Sequence, residues 1–131
     1  MCIRDRAKAE LEVRAAQVLE ARGDRDGAIE RYKRALDANP KDATAAAALR
    51  EAYAARGDVN AALQLLEREI AQAEGDLGKA RLCAQVAILS RDRLKDDKRA
   101  EEAAKRAIGF DPTNLDALTV LGDIALSLIH I

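Results

Sequence analysis

This sequence is short of most residues from which catalytic and metal sites are built. Its 131 residues include one histidine, two cysteines, no tryptophan and only three aromatic side chains, Tyr32, Tyr53 and Phe110. So few imidazoles and thiols leave little from which to build a Cys/His metal set, and no cysteine framework is present. Glycine-rich phosphate-binding loops are missing as well. A formal net charge of −1 provides no electrostatic reason to expect nucleic acid. No apolar run approaches the length that spans a bilayer. With only two prolines, Pro40 and Pro112, long stretches are left uninterrupted. What remains is a mixture rich in Ala, Leu, Glu and Arg, 49% hydrophobic and 34% charged, which suits packed helices rather than sheets.

The two ends stand apart from the rest. LSLIHI, residues 126–131, can be encoded by CTGTCTCTTATACACATC. Read from its ATG, the reverse complement of that string encodes Met-Cys-Ile-Arg-Asp, the opening residues of the chain. The string resembles the transposase end sequence used in sequencing libraries. Residues 1–6 and 126–131 are therefore expected to be adapter-like scars and are set aside. His130 and Cys2 then leave every site argument, and Cys83 becomes the sole thiol. The remainder is expected to be a fragment, metagenomic in character, with its native start missing. That leaves the compartment open: cytoplasm or periplasm for a soluble bacterial chain.

Between the ends, one grammar recurs. Ala28 to Asp58 reads as a helix, a proline-punctuated turn, a second helix and a Gly-Asp stop. Gly23 and Gly57, Ala28 and Ala62, Tyr32 and Leu66, and Leu36 and Ile70 are each 34 residues apart. The spacing predicts helices over about 7–22, 25–38, 43–56, 59–74, 77–93 and 98–109, with a seventh beginning at Asn114. Gly23 and Gly57 supply stops, while Asp24 and Asp42 are candidate N-caps. Lys95-Asp96-Asp97 has to turn the chain without glycine. Expected inward residues are Leu11, Ala15, Val18 and Leu19 in the first helix, then Tyr32, Leu36, Leu49, Tyr53, Leu66, Ile70 and Ile108. Pro40 and Pro112 lie 72 apart, so the third unit carries about four extra residues, close to one helical turn.

A repeated helix pair of about 34 residues resembles the tetratricopeptide repeat, or TPR. The matching residues are Leu19, Ala28, Tyr32, Ala35 and Pro40 in the first repeat and Leu49, Tyr53, Gly57, Ala62 and Leu66 in the second. Leu118, Leu121 and Gly122 resemble the opening of another. The resemblance covers roughly residues 7–125 and implies repeats at 7–42, 43–76 and 77–114, with a partial one at 115–125. It also implies an all-α, right-handed superhelical solenoid of antiparallel helix hairpins.

Catalysis has little to stand on, since Cys83 sits in the apolar run 82–89 with no native histidine as base. No enzyme activity and no cofactor are expected. The resemblance instead implies a protein or peptide partner in a concave groove lined by the first helix of each pair. It places Val13, Arg14 and Gln17 there, then Ala47, Ala48 and Glu51, then Gln85, Val86 and Leu89, and finally Thr119 and Val120. Members that clasp a C-terminal carboxylate use Lys, Asn and Arg in this groove. Here the equivalents are mostly small and apolar, which predicts an apolar floor with little sensitivity to salt. The alternative is a regulatory or spacer array of a larger multidomain protein. Self-association is expected through the truncated C-terminal end, where Leu118, Leu121 or Ile124 lacks a hairpin partner.

Overall fold

The computed structural model describes residues 3–129, with side chains through 126. Seven helices follow one another: α1 (Ile3–Ala21), α2 (Arg25–Ala38), α3 (Ala43–Arg56), α4 (Val59–Gln72), α5 (Asp76–Asp92), α6 (Asp97–Phe110) and α7 (Leu115–Ile129). There is no strand among the described residues. The chain divides into two compact units, Met1–Ala62 and Leu63–Ile131, with the boundary inside α4. In the first unit α2 packs against both α1 and α3. In the second, α6 packs against α5 and α7, and α5 also meets α7.

Local chemistry sets the helix ends. Asp24, Asp42, Asp58 and Asp96 each accept a hydrogen bond from the backbone N–H three residues on, at 2.9–3.2 Å. Asn114 does the same for Ala117 at 2.9 Å. Each such cap satisfies a donor that the first helical turn would otherwise leave unpaired. At the other end, Gly57 closes α3 with φ 90°, a left-handed geometry that a residue with a Cβ adopts only at a cost. The α5–α6 turn has no glycine, and Lys95 takes up the left-handed conformation there at φ 56°. Pro40 acts on its predecessor as expected: Asn39 is extended, with φ −140°.

Alanine dominates the helix contacts. Ala28, Ala35, Ala62, Ala80, Ala87, Ala100, Ala104 and Ala107 are fully buried, which lets helix backbones approach toward the short end of the usual 8–10 Å range. Tyr32, Ile29, Leu63 and Leu66 provide bulk between these small residues. Ion pairs cross between helices within each unit: Arg31 to Glu12 at 3.1 Å, Arg56 to Asp26 at 3.1 Å, and Arg91 to Asp123 at 2.7 Å. Arg106 grips Glu67 through two nitrogens, at 2.9 and 3.4 Å.

The inward face differs from expectation in three places. In α1 the buried residues are Ala9, Val13 and Ala16, while Leu11 and Val18 are exposed. Small side chains on that stripe allow close contact with α2, and the Leu11 stripe points elsewhere. Tyr53 is only half-buried, because its ring lies under the cations of Lys33 (5.9 Å) and Arg56 (5.6 Å). Ile108 is likewise half-buried. It sits one residue, or 100° of helical rotation, past the stripe formed by Ala100, Ala103, Ala104 and Ala107.

One core position is imperfect. Ser90 is fully buried, and its Oγ has no hydrogen-bond partner among the described residues. Enclosing an unpaired hydroxyl costs on the order of 1–3 kcal/mol. Ser90→Ala is therefore expected to stabilise the chain by about 1 kcal/mol, read as a rise in midpoint on chemical unfolding with an unchanged denaturant dependence. An unchanged or lower midpoint would contradict it.

Candidate functional site

The first helices of the hairpins place the candidate residues, and the helical period decides which of them reach solvent. In the first unit Arg14, Gln17 and Glu51 are exposed, and Ala47 and Ala48 are half-buried. In the second, Gln85 and Thr119 are exposed and Leu89 is half-buried. The other three are core residues: Val13, Val86 and Val120 are all buried. Val13 nonetheless borders a recess of the first unit. A residue displaced by one along a helix turns by 100°, which is enough to carry Val86 inside while its neighbour Gln85 stays in water.

What the first unit does present is a surface of mixed polar and apolar character. A recess of about 460 Å³ is lined by Arg6, Glu10, Val13, Arg14, Gln17, Asn39, Asp42 and Thr44. A smaller one of about 270 Å³ is lined by Glu20, Gly23, Arg25, Ala48, Glu51, Ala52 and Ala55. Glu10, Asn39, Asp42 and Thr44 were absent from the sequence-based set because they lie on α1, in the turn before α3 and at its start. The sign that could have found Asn39 and Asp42 is their position in the NPKD turn joining the helices. Glu20 does a second job: it accepts a hydrogen bond from the buried hydroxyl of Tyr32. Burial first, and then Glu20, pushes the Tyr32 hydroxyl well above the usual tyrosine range.

The one described thiol is enclosed. Cys83 is buried and unbonded to another thiol, and burial pushes its pKa up, with nearby Arg106 opposing that rise and Glu67 adding to it. A protonated, enclosed thiol is a poor nucleophile. Among the described residues there is no group of three His, Cys, Asp or Glu side chains placed to hold a metal ion. No described helix is long and apolar enough to cross a membrane. At α7, Leu118 is 45% exposed and Leu115 is also exposed, whereas Leu121 is half-buried and Ile124 is buried.

Antiparallel helix pairs with aspartate caps, glycine or proline stops and alanine crossings, presenting shallow open recesses, define a helical-repeat protein. The tetratricopeptide repeat family profile matches residues 19–86. The chain belongs to the tetratricopeptide repeat family. Two solved structures are similar over nearly the whole chain. The first TPR of Spaghetti (RPAP3) bound to the HSP90 peptide SRMEEVD superposes with a TM-score of 0.68, at 19% identity and 95% coverage of each chain. The first TPR domain of human RPAP3 gives 0.60, at 18% identity and 94% coverage of each. At those identities the likeness concerns the fold alone. Comparison with curated protein sequences finds no match.

Proposed function

We propose that this chain is a non-catalytic protein-interaction scaffold in which the first-helix surface of the opening unit receives a partner segment. The observation that carries this reading is the recess bordered by Glu10, Val13, Arg14, Gln17, Asn39, Asp42 and Thr44, with a second recess bordered by Ala48 and Glu51 of α3. Its chemistry suits a peptide held by hydrogen bonds and paired charges, with apolar contact at Val13. In the second unit Gln85, Leu89 and Thr119 offer the corresponding exposed positions.

Such a surface differs from a carboxylate clamp. The Spaghetti TPR is bound to an acidic-tailed HSP90 peptide, SRMEEVD. Here the cation Arg14 shares the recess with Glu10 and Asp42. An acidic tail would meet like charges as well as opposite ones. SRMEEVD is therefore expected to bind weakly, in the millimolar range, corresponding to roughly 4 kcal/mol.

The experiment is affinity capture with the intact chain, followed by titration of a recovered partner at two salt concentrations. Arg14→Glu and Glu51→Lys are expected to weaken binding about 5- to 30-fold, equivalent to roughly 1–2 kcal/mol. Wild-type binding is expected to weaken as salt rises, because the contributing charges are exposed. Equal affinity in both folded variants would remove the first-helix surface as the binding site and favour a spacer role.

A further inference from the structure

The smaller recess of the first unit, about 270 Å³, lies where two helices end. α1 finishes at Ala21 and α3 at Arg56, and the last turn of each contributes to the wall, Glu20 from α1 and Ala55 from α3. Ala48, Glu51, Ala52 and Ala55 recur at three- and four-residue spacing, so they form one face of α3. The carboxyl end of a helix carries roughly half a negative charge. Two such ends and two carboxylates, Glu20 and Glu51, therefore converge on one small space. Among the described residues that line it, Arg25 is the single cation.

The chain itself shows which sign of charge this space accepts. Arg25 donates from Nη1 to the carbonyl oxygen of Ala55 at 3.4 Å, so its guanidinium answers the end of α3. The carboxylates are left over: neither Glu20 nor Glu51 forms an ion pair among the described residues. Glu20 is steadied by the hydroxyl of buried Tyr32, and Glu51 is exposed. Ala48, Ala52 and Ala55 give the rest of the lining an apolar character. The volume falls just below the roughly 300–1,000 Å³ of small-molecule sites, and it suits one long side chain.

We propose that this recess seats one arginine side chain of the partner segment. The methylene stem lies along Ala48, Ala52 and Ala55, and the guanidinium reaches Glu20 and Glu51. A planar head with donors on several edges can serve two carboxylates at once, which a single ammonium does less well. The inference rests on the scaffold reading for the source of that side chain and adds the sign of its charge. Asp42 and Thr44 place the larger recess at the start of α3, whereas Ala55 places this one at its end. A segment following the two first helices of this unit meets both, and only the second selects a cation.

The probes are capped alanine pentapeptides with a central arginine, norleucine or glutamate, titrated into the intact isotope-labelled chain and followed by NMR. The arginine peptide is expected to shift the amide signals of Gly23, Ala48, Ala52 and Ala55, with a dissociation constant on the order of millimolar. Raising the salt should weaken it. Glu20→Gln and Glu51→Gln preserve size, and the first preserves an acceptor for Tyr32. Each is expected to weaken binding about 3- to 5-fold. Glu102→Gln, which alters an exposed carboxylate on α6, should leave binding unchanged. No shift at these four signals would overturn the proposal. So would equal binding of the norleucine or glutamate peptide, or equal affinity in both the Glu20→Gln and Glu51→Gln chains. The scaffold reading stands or falls separately, because a captured partner lost in Arg14→Glu supports it even where the arginine peptide is silent.

Discussion

Replacing Val86 with aspartate is expected to abolish cooperative folding, whereas the same substitution at Gln85 should leave the chain folded. Val86 is 3% exposed and belongs to the buried face of α5, along with Ala80, Cys83, Ala84, Ala87 and Ser90. An aspartate there would bring an unpaired carboxylate into an apolar site, at a cost of several kcal/mol. A domain of this size has a total stability of only about 5–15 kcal/mol. Gln85 is exposed, so its substitution is expected to fall within about 0.5 kcal/mol of neutral. Circular dichroism melting of the two variants separates the cases. A folded, cooperative Val86→Asp chain would show that α5 is rotated from the orientation described here. The pair also guards the functional test, because loss of binding in a Val86 variant would report unfolding rather than a lost contact.

Tyr32 is expected to be the most sensitive single side chain of the first unit. It is 2% exposed, and its hydroxyl donates to the Glu20 carboxylate. Tyr32→Ala removes a whole ring from a packed site and should cost roughly 3–5 kcal/mol. Tyr32→Phe removes only the hydroxyl and should cost about 1 kcal/mol. The two variants also differ in pH dependence. Burial, the Glu20 hydrogen bond and the charges of Glu20 and Glu51 raise the folded-state pKa of Tyr32 above its ordinary value. The unfolded chain then loses this proton first. The stability linked to the group is complete below about pH 10 and declines as pH rises beyond it, by up to roughly 1.4 kcal/mol per pH unit. Denaturant titrations at pH 8, 10 and 11 should show this decline in the wild type and a smaller one in Tyr32→Phe. Identical pH profiles would mean that Tyr32 ionises as freely when folded as when unfolded.

Helix boundaries were far more legible in the sequence than helix faces, and the reason is physical. α2 and α3 occupy 25–38 and 43–56 as the sequence predicts, because aspartate caps, Gly57 and Pro40 mark their ends in local chemistry. The stripes of α2 and α4 were equally readable, since Ala28, Ile29, Tyr32 and Leu36, and Ala62, Leu63, Leu66 and Ile70, are all buried. α1 was misread because its most apolar stripe, Leu11 and Val18, has the composition of a core with no helix against it. The first-helix residues divide by burial for a related reason. Family register alone places Val13, Val86 and Val120 on the first-helix surface; all three are buried, and one residue along a helix is a turn of 100°. Glu10, Asn39 and Thr44 border the recess from three different segments, a juxtaposition that only the packed structure supplies.

The way the helices are tied together has a consequence for the rate at which the chain folds. Arg31 reaches back 19 residues to Glu12, Arg56 reaches back 30 to Asp26, and Arg106 reaches back 39 to Glu67. Each contact joins helices close in sequence, so the loops that must close are short and the entropic barrier to forming them is small. Helical proteins with such local connectivity fold in microseconds to milliseconds. A hairpin can accordingly take shape as soon as its two helices exist, without waiting for the far end of the chain. Stopped-flow refolding is expected to be nearly complete within the dead time of mixing, with temperature-jump relaxation needed to resolve it.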